Sequence, residues 1–168
     1  MLTPDTLDRA GHVLSAYRRR GLYLATAESC TGGLIGAALT ALPGSSDVVE
    51  RGFITYADAA KIEMLGVPGE LLTRHGAVSA PVAEAMAEGA LQRAPVAAAV
   101  AVTGVAGPGG GSTAKPVGLV YFGLAAADRP SETRRRQFAG GRDEVRAASV
   151  DFALDLLLAA AEGGPLPE

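Results

Sequence analysis

The spacing of apolar residues predicts a chain that alternates between helices and strands. Apolar residues recur at helical spacing between Leu7 and Tyr17, behind a Thr3–Pro4 pair that is a typical helix start. Shorter apolar runs, bounded by glycine, proline or polar residues, indicate buried strands. In chain order the predicted elements are a helix over 4–20, a strand over 22–26, a helix over 31–42, a strand over 50–56, a helix over 59–65 capped by Asp58, short and long helices over 68–75 and 79–93, strands over 96–104, 117–124 and 133–138, and a helix over 142–161.

This alternation predicts an α/β fold, a three-layer α/β/α sandwich with a mostly parallel, mixed sheet and one antiparallel hairpin strand. The continuous apolar run over 96–104 is typical of a strand that helices cover on both faces. Ligands of such sheets bind beyond the carboxyl ends of the strands. Two glycine-rich segments, 27–33 and 103–111, follow predicted strands directly. We therefore expect them to converge on one cleft.

The composition indicates a folded protein of one domain, which we expect to span residues 1–168. Apolar residues make up 48% of the chain and charged residues 20%, which excludes a disordered chain. The net charge of −3 provides no basic field for nucleic acid. No apolar run reaches the ~20 residues that a membrane helix needs. Neither nucleic acid nor a membrane is an expected partner.

The single cysteine and the last predicted helix bear on compartment and assembly. Cys30 cannot form an internal disulfide, and the first twenty residues lack a signal-peptide pattern, so we expect a cytoplasmic protein. The helix over 142–161 is too apolar for a lone surface helix, so it packs on the sheet or on a partner. Together with the high apolar content, this predicts a homo-oligomer, a dimer or larger.

A first candidate for chemistry is the turn between the strand over 22–26 and the helix that follows it. Ser29, Cys30 and Thr31 lie in this turn, and Gly32 and Gly33 expose backbone N–H groups at the helix start. Such a start binds anions or stabilises a developing oxyanion. The alternative is that Ser29 or Thr31 is only the N-cap and that the glycines allow close helix packing.

Lys61 is the candidate base, because neither His12 nor His75 lies in a motif. The chain contains only two lysines, so each of them is a candidate for a specific role. With Asp58 as the N-cap, Lys61 stands at the third helical position, where the helix dipole lowers its pKa. A lysine can replace histidine as the base for a serine nucleophile. The alternative is a solvated lysine paired with Asp58 or Glu63. Tyr56 either positions Lys61 or substrate, or is a packed strand tyrosine.

The glycine-rich loop and the acidic residues limit the other chemistry. The segment GVAGPGGG fits neither a Walker A loop nor a dinucleotide fingerprint. Its N–H groups either form a nest for a phosphate or ribose, or supply a flexible turn. With two distant histidines, one cysteine and no clustered carboxylates, we expect neither a metal nor another cofactor. The arginine runs 18–20 and 134–136 are interpreted as solvated faces.

Four segments together resemble one known family. AESCTGG (27–33), GFITYADAAKIEMLGV (52–67), TGVAGPGGG (103–111) and KPVGLVYFG (115–123) are similar, in this order, to the CinA C-terminal domain family of nicotinamide-nucleotide amidohydrolases. The resemblance implies a three-layer α/β/α fold and metal-free hydrolysis of nicotinamide mononucleotide to nicotinic acid mononucleotide and ammonia. The substrate is thus a small nucleotide.

The resemblance also implies roles for individual residues. It associates Ser29, Tyr56 and Lys61 with catalysis, and we interpret Ser29 as the nucleophile, Lys61 as the base and Tyr56 as the residue that orients Lys61 or the amide. Many members carry a proline and a glutamate where this chain has residues 112–114, so no loop carboxylate is expected. The residues that we expect to bind substrate are Glu28, Thr31, Gly32, Gly33, Thr103, Gly104, Gly107, Gly109 and Arg142.

Two questions stay open at the level of sequence. In one arrangement, N–H groups near Thr31–Gly33 form the oxyanion hole while the loop over 103–111 and Arg142 hold the phosphate. In the other, Gly32–Gly33 hold the phosphate and the Thr103–Gly104 turn holds the oxyanion. A different class of function is also open, a nucleotide-binding or competence-associated module of the same family without catalysis.

Overall fold

The predicted alternation of helices and strands is present in the computed structural model, which describes residues 2–168. The helices and strands, in chain order, are α1 Pro4–Arg19, β1 Leu24–Glu28, α2 Leu34–Thr40, β2 Val49–Ile54, α3 Asp58–Leu65, α4 Gly69–His75, α5 Ala80–Arg93, β3 Ala98–Gly104, β4 Leu119–Ala126, β5 Arg129–Gln137 and α6 Arg142–Glu162. A single turn of 3₁₀ helix over Ser45–Asp47 precedes β2. The hydroxyl of Thr3 caps α1 by accepting from the N–H of Thr6, as the sequence predicts.

The strands form one sheet in the order β2-β1-β3-β4-β5. β1 pairs in parallel with β2 and β3, whereas β4 is antiparallel to both β3 and β5. Four strands therefore run in one direction and β4 alone runs in the other. This confirms the mostly parallel, mixed sheet with one antiparallel hairpin strand. It also brings the carboxyl ends of β1, β2, β3 and β5 to the same edge of the sheet.

Helices cover both faces of the sheet, which confirms the three-layer α/β/α arrangement. Alternate residues of β3 point to opposite faces, so that Val100 packs with α1, α2 and α6 while Ala99 packs with α3 and α5. Helix α6 packs on β3, β4 and α1. Because its apolar side is covered within the chain, α6 gives no support to the expected self-association, which stays a prediction.

Several boundaries differ from the sequence-based expectation, and β1 runs over Leu24–Glu28 rather than 22–26, so that Glu28 lies in the strand and not in the turn after it. Helix α2 begins at Leu34 rather than at residue 31, because Gly32 and Gly33 have left-handed φ angles of 62° and 98° that a right-handed helix cannot include. The N-cap of α3 is Ala57, not Asp58. Strand β5 begins before the predicted residue 133 and includes Pro130, which an edge strand tolerates because an N–H on that side needs no partner.

None of the helices in residues 2–168 has the length and apolar character needed to cross a membrane.

Candidate active site

A cavity of about 290 Å³ opens at the edge of the sheet where the parallel strands end. Both glycine-rich segments contribute to its wall, which confirms that they converge on one cleft. The lining residues are Ser29, Cys30, Tyr56, Asp58, Lys61, Ala77, Val78, Thr103, Gly104, Val105, Ala106, Gly107, Gly109, Gly110 and Arg142. The cleft therefore contains all three predicted catalytic residues and five of the nine predicted substrate-binding residues.

Lys61 is buried beneath this cavity, with only 1% of its surface exposed. Its Nζ atom lies 3.2 Å from the Oγ atom of Ser29, and it donates to the backbone carbonyls of Thr55 at 3.0 Å and Tyr56 at 3.3 Å. The interpretation of Lys61 as a solvated surface lysine is therefore wrong. The contacts arise because β2 ends at Ile54, so the next two carbonyls face the first turn of α3.

The charge state of Lys61 is set by two opposing influences. Burial lowers the pKa of the Lys61 ammonium, because the charged form loses its hydration. The Asp58 carboxylate opposes this, since its Oδ1 atom lies 3.7 Å from Nζ and favours the charged form. Asp58 is 60% exposed, so water screens much of its effect. Lys61 is thus a lysine that can give up its proton more readily than one in water.

Two fixed carbonyls orient the amine of Lys61. A neutral amine has two N–H bonds and one lone pair, and the carbonyls of Thr55 and Tyr56 accept the two N–H bonds. The lone pair is then directed at the third neighbour, the hydroxyl of Ser29. This arrangement can remove a proton from a serine.

Ser29 is held by the turn that follows β1. Its N–H donates to the carbonyl of Val102 at 3.0 Å, which extends the pairing with β3 by one residue. Its carbonyl accepts from the N–H of Gly32 at 3.0 Å and closes a tight turn. The backbone on both sides of Ser29 is therefore fixed, and its side chain reaches the cavity beside Lys61.

Glu28 does not reach the cavity. Its buried carboxylate accepts from the N–H groups of Gly33 at 3.0 Å, Ile35 at 3.1 Å and Gly36 at 2.9 Å. It thereby caps the N-terminus of α2, whose partial positive charge favours an anion. The chain itself supplies the anion that this helix start was expected to take from a substrate.

The neighbouring predicted residues also lie outside the cavity wall. The N–H of Gly33 donates to Glu28 and that of Gly32 donates to the carbonyl of Ser29. The carbonyl of Thr31 accepts from Arg146 at 3.0 Å, and its buried hydroxyl has no partner among residues 2–168. The structure therefore does not bring Glu28, Thr31, Gly32 or Gly33 to the place where Ser29 and Lys61 meet.

The loop between β3 and β4 forms the opposite wall of the cavity. Gly104 has no room for a side chain, since a Cβ atom there would lie 2.7 Å from Cγ2 of Val120. Gly107 has a φ of 85°, in the left-handed region that favours glycine. The N–H groups of Ala106, Gly107, Gly109 and Gly110 meet no acceptor in the chain from residue 2 onward. They are free to donate to a ligand.

Arg142, the first residue of α6, joins this loop to the α3 side of the cavity. Its Nη1 atom donates to the carbonyl of Gly107 at 2.9 Å, and its Nη2 atom donates to the hydroxyl of Tyr56 at 3.0 Å. Tyr56 therefore touches Arg142 with its side chain and Lys61 only with its backbone. The side chain is 60% exposed, so the interpretation of Tyr56 as a packed strand residue is wrong.

Several lining residues were not foreseen as part of the site. Ala77 and Val78 belong to the segment after α4, and the hydroxyl of Thr103 holds it by donating to the carbonyl of Ala77 at 2.9 Å. Nothing in the residue types of this segment indicates a site.

Cys30, from the predicted turn, is buried beside Ser29, and burial raises the pKa of its thiol to about 12. It therefore remains a neutral thiol at physiological pH.

Residues 2–168 contain no group of three or more histidine, cysteine, aspartate or glutamate side chains positioned to hold a metal ion.

Comparison with known proteins identifies the family. The model of the CinA C-terminal domain matches residues 7–161, so the chain belongs to this family. It is 46% identical over 157 residues to the nicotinamide-nucleotide amidohydrolase PncC of Escherichia coli (strain K12), covering 94% of this chain and 95% of that protein. It is 54% identical over 144 residues to a CinA-like protein of Mycolicibacterium gilvum (strain PYR-GCK), covering 86% of this chain.

The chain spans 34% of the length of that CinA-like protein. Among solved structures, the competence/damage inducible protein CihA from Agrobacterium tumefaciens has a TM-score of 0.93 and 48% identity, covering 95% of this chain and 98% of that one. The fold and the family are therefore shown, while the names of these relatives describe both an amidohydrolase and competence-related proteins.

Proposed function

We propose that this protein hydrolyses the carboxamide of nicotinamide mononucleotide to nicotinic acid mononucleotide and ammonia. The observation that carries the proposal is the buried Lys61 Nζ atom, 3.2 Å from the hydroxyl of Ser29 in the wall of a cavity. The 46% identity to an Escherichia coli protein named as a nicotinamide-nucleotide amidohydrolase, over 95% of its length, supports the choice of substrate.

In the proposed reaction, neutral Lys61 accepts the hydroxyl proton of Ser29 as the serine oxygen attacks the carboxamide carbon. The proton on Lys61 then passes to the departing nitrogen, which is released as ammonia. The nicotinoyl group remains bound to Ser29 as an ester. Lys61 next accepts a proton from water as this water attacks the ester carbon. Return of that proton to Ser29 restores both residues and releases the carboxylic acid, which loses its proton to water to give the carboxylate product.

The donors for the two negative groups are assigned to the β3–β4 side of the cavity. The N-terminus of α2 is filled by Glu28, so it offers neither an oxyanion hole nor a phosphate site. We assign the developing oxyanion to the end of β3 at Thr103 and Gly104, which the sequence indicates as a turn and which lines the cavity, and the phosphate to the free N–H groups of the loop together with Arg142. This combines the phosphate site of one sequence-based arrangement with the oxyanion site of the other.

Ammonia release from nicotinamide mononucleotide in the presence of a chelator tests the proposal. Wild-type protein is expected to release ammonia and nicotinic acid mononucleotide in equal amounts, with saturation by substrate. Ser29→Ala is expected to lose at least ~100-fold in kcat, because the nucleophile is gone. Ser45→Ala, at the start of the 3₁₀ turn, is the matched control and should keep full activity.

The same measurement decides between catalysis and binding alone. Nucleotide binding without ammonia release by the wild-type protein would contradict the proposal in favour of a non-catalytic module.

A further inference from the structure

Asp58 is the one carboxylate among the residues that line the described cavity. It is the first residue of α3, and its side chain is 60% exposed to the cavity and solvent. Its Oδ1 atom lies 3.7 Å from the Nζ atom of Lys61, so its negative charge is next to the reacting serine and lysine. Besides Lys61, the one cation among the lining residues is Arg142, which is held by Gly107 and the hydroxyl of Tyr56.

The proposed substrate has a matching distribution of charge. The carboxamide of nicotinamide mononucleotide is attached to a pyridinium ring that carries a positive charge, while the phosphate at the other end is negative. The carboxamide must reach the Oγ atom of Ser29, so the ring lies on the Lys61 and Asp58 side of the cavity. The phosphate then extends toward Arg142 and the glycine-rich loop.

When Lys61 is neutral, the negative charge of Asp58 attracts a cationic substrate ring more strongly. Lys61 has to be neutral to act as a base, and Asp58 then has no cation at 3.7 Å. A pyridinium ring supplies that positive charge, whereas a neutral ring leaves the carboxylate unpaired. The side chain of Tyr56, two residues before Asp58, is 60% exposed and offers an aromatic face, which also favours a cationic ring.

We propose that Asp58 is a specificity-determining residue that selects nucleotides with a cationic pyridinium ring over those with a neutral ring. This rests on the proposed function. It goes further because it states which charge on the substrate the protein recognises at the reacting end, and it assigns that recognition to a residue with no part in bond breaking.

Binding to an inactive protein tests the selection directly. In a Ser29→Ala background, isothermal titration calorimetry gives the Kd of nicotinamide mononucleotide and of its 1,4-dihydro form, which has the same phosphate and a neutral ring. Adding Asp58→Asn is expected to weaken binding of the cationic form about five-fold and that of the dihydro form less than about two-fold, as for one partly screened charge pair. Asp58→Asn also favours neutral Lys61, which by itself would strengthen binding of the cationic form relative to the dihydro form. A selective weakening of the cationic form therefore reports the lost Asp58 charge and not a change in Lys61.

Glu63→Gln is the matched control, because Glu63 is an exposed acid on the same helix that does not line the cavity. It should leave the ratio unchanged. Equal weakening of both ligands by Asp58→Asn, or no weakening, would overturn the proposal, as would an equal shift of the ratio in the Glu63 variant. Thermal melts verify that the exposed substitutions leave the fold intact.

The outcome for the proposed function is read separately. Ammonia release by the wild-type protein with an unchanged Kd ratio in Asp58→Asn rejects the role of Asp58 and keeps the amidohydrolase. A changed ratio without ammonia release rejects hydrolysis and keeps the selection of a cationic ring. If the Ser29→Ala protein fails to bind nicotinamide mononucleotide at millimolar concentration, both proposals fail.

Discussion

The Nζ atom of Lys61 lies 3.2 Å from the Oγ atom of Ser29, although 32 positions separate the two residues in the chain. Ser29 follows β1, and Lys61 lies in α3 after β2. β1 and β2 are neighbouring parallel strands, so the segments after them meet at one edge of the sheet. The contact thus follows from the topology, and the burial of Lys61 makes it an interior contact rather than a surface one.

The two lysines of the chain allow a matched test of this pair. Lys61→Arg is expected to keep the positive charge and lose at least ~100-fold in kcat for ammonia release, because arginine does not give up its proton at working pH. Lys115→Arg is the control and should stay within about two-fold of wild type, since Lys115 only donates to the carbonyl of His75, which arginine can also do.

Non-additivity strengthens this test. If Ser29 and Lys61 act as one unit, the double variant Ser29→Ala with Lys61→Arg should be little slower than either single variant. Near wild-type turnover of Lys61→Arg, with folding verified by a thermal melt, would falsify the assignment of Lys61 as the base.

The pH dependence of kcat/KM reports the proton on Lys61. The reaction needs neutral Lys61, so kcat/KM is expected to rise with pH as Lys61 loses its proton. Because burial lowers the pKa of Lys61, the midpoint of this rise should lie below the ordinary lysine pKa of about 10.4. Asp58 favours the ammonium form, so Asp58→Asn should move the midpoint to lower pH.

Salt provides the control for this shift. Asp58 is 60% exposed, so added salt should reduce the difference between wild type and Asp58→Asn. A midpoint that moves to higher pH in Asp58→Asn would contradict the electrostatic account of the pair. A midpoint at or above the ordinary lysine value in wild type would contradict the effect of burial.

A feature of this site could be predicted from the sequence where residues close to it in the chain cause it. Ser29 directly follows one recognisable strand and Lys61 lies in the helix after the next, and two neighbouring parallel strands bring the segments that follow them together. The start of α2 could not be foreseen in the same way. It depends on the left-handed φ angles of Gly32 and Gly33 and on the direction in which the buried Glu28 points, and neither is encoded in a spacing pattern.

The contact between Tyr56 and Arg142 illustrates the same limit over a longer distance. The two residues are 86 positions apart, and they follow β2 and β5, the outermost strands on opposite sides of the sheet. Their side chains meet because α6, which begins at Arg142, packs back across β4 and β3. The sequence indicates each residue as a candidate by its position after a strand or before a helix. The partner of each side chain depends on the packing of the whole sheet, which local patterns do not specify.

Glu28 is expected to be a stability residue rather than a substrate contact. Glu28→Gln replaces one carboxylate oxygen by an NH₂ group that faces backbone N–H donors, which leaves at least one of them without an acceptor. We expect the free energy of unfolding to fall by about 2 kcal/mol, the cost of a buried unsatisfied donor. Chemical denaturation followed by circular dichroism measures this change.

Activity and a control complete the test of Glu28. The KM of the folded Glu28→Gln protein should stay within about two-fold of wild type, and Glu63→Gln, an exposed acid, should change stability by less than about 0.5 kcal/mol. If the Glu28→Gln protein had unchanged stability and its KM rose at least ten-fold, Glu28 would be a substrate contact and not a stability residue.

Arg142 is expected to recognise the phosphate of the substrate. Its guanidinium is held by Gly107 and Tyr56 at the mouth of the cavity, next to the free N–H groups of the loop. Arg142→Ala should raise KM for nicotinamide mononucleotide at least ten-fold with little change in kcat, because the lost contact is remote from the reacting bond. For nicotinamide riboside, which lacks the phosphate, kcat/KM should be nearly the same in both proteins.

Arg135→Ala, on the exposed part of β5, is the control and should leave kcat/KM unchanged for both substrates. If Arg142→Ala slows both substrates equally, Arg142 acts instead by holding Tyr56 and the loop in place, and the phosphate must be bound by backbone N–H groups alone.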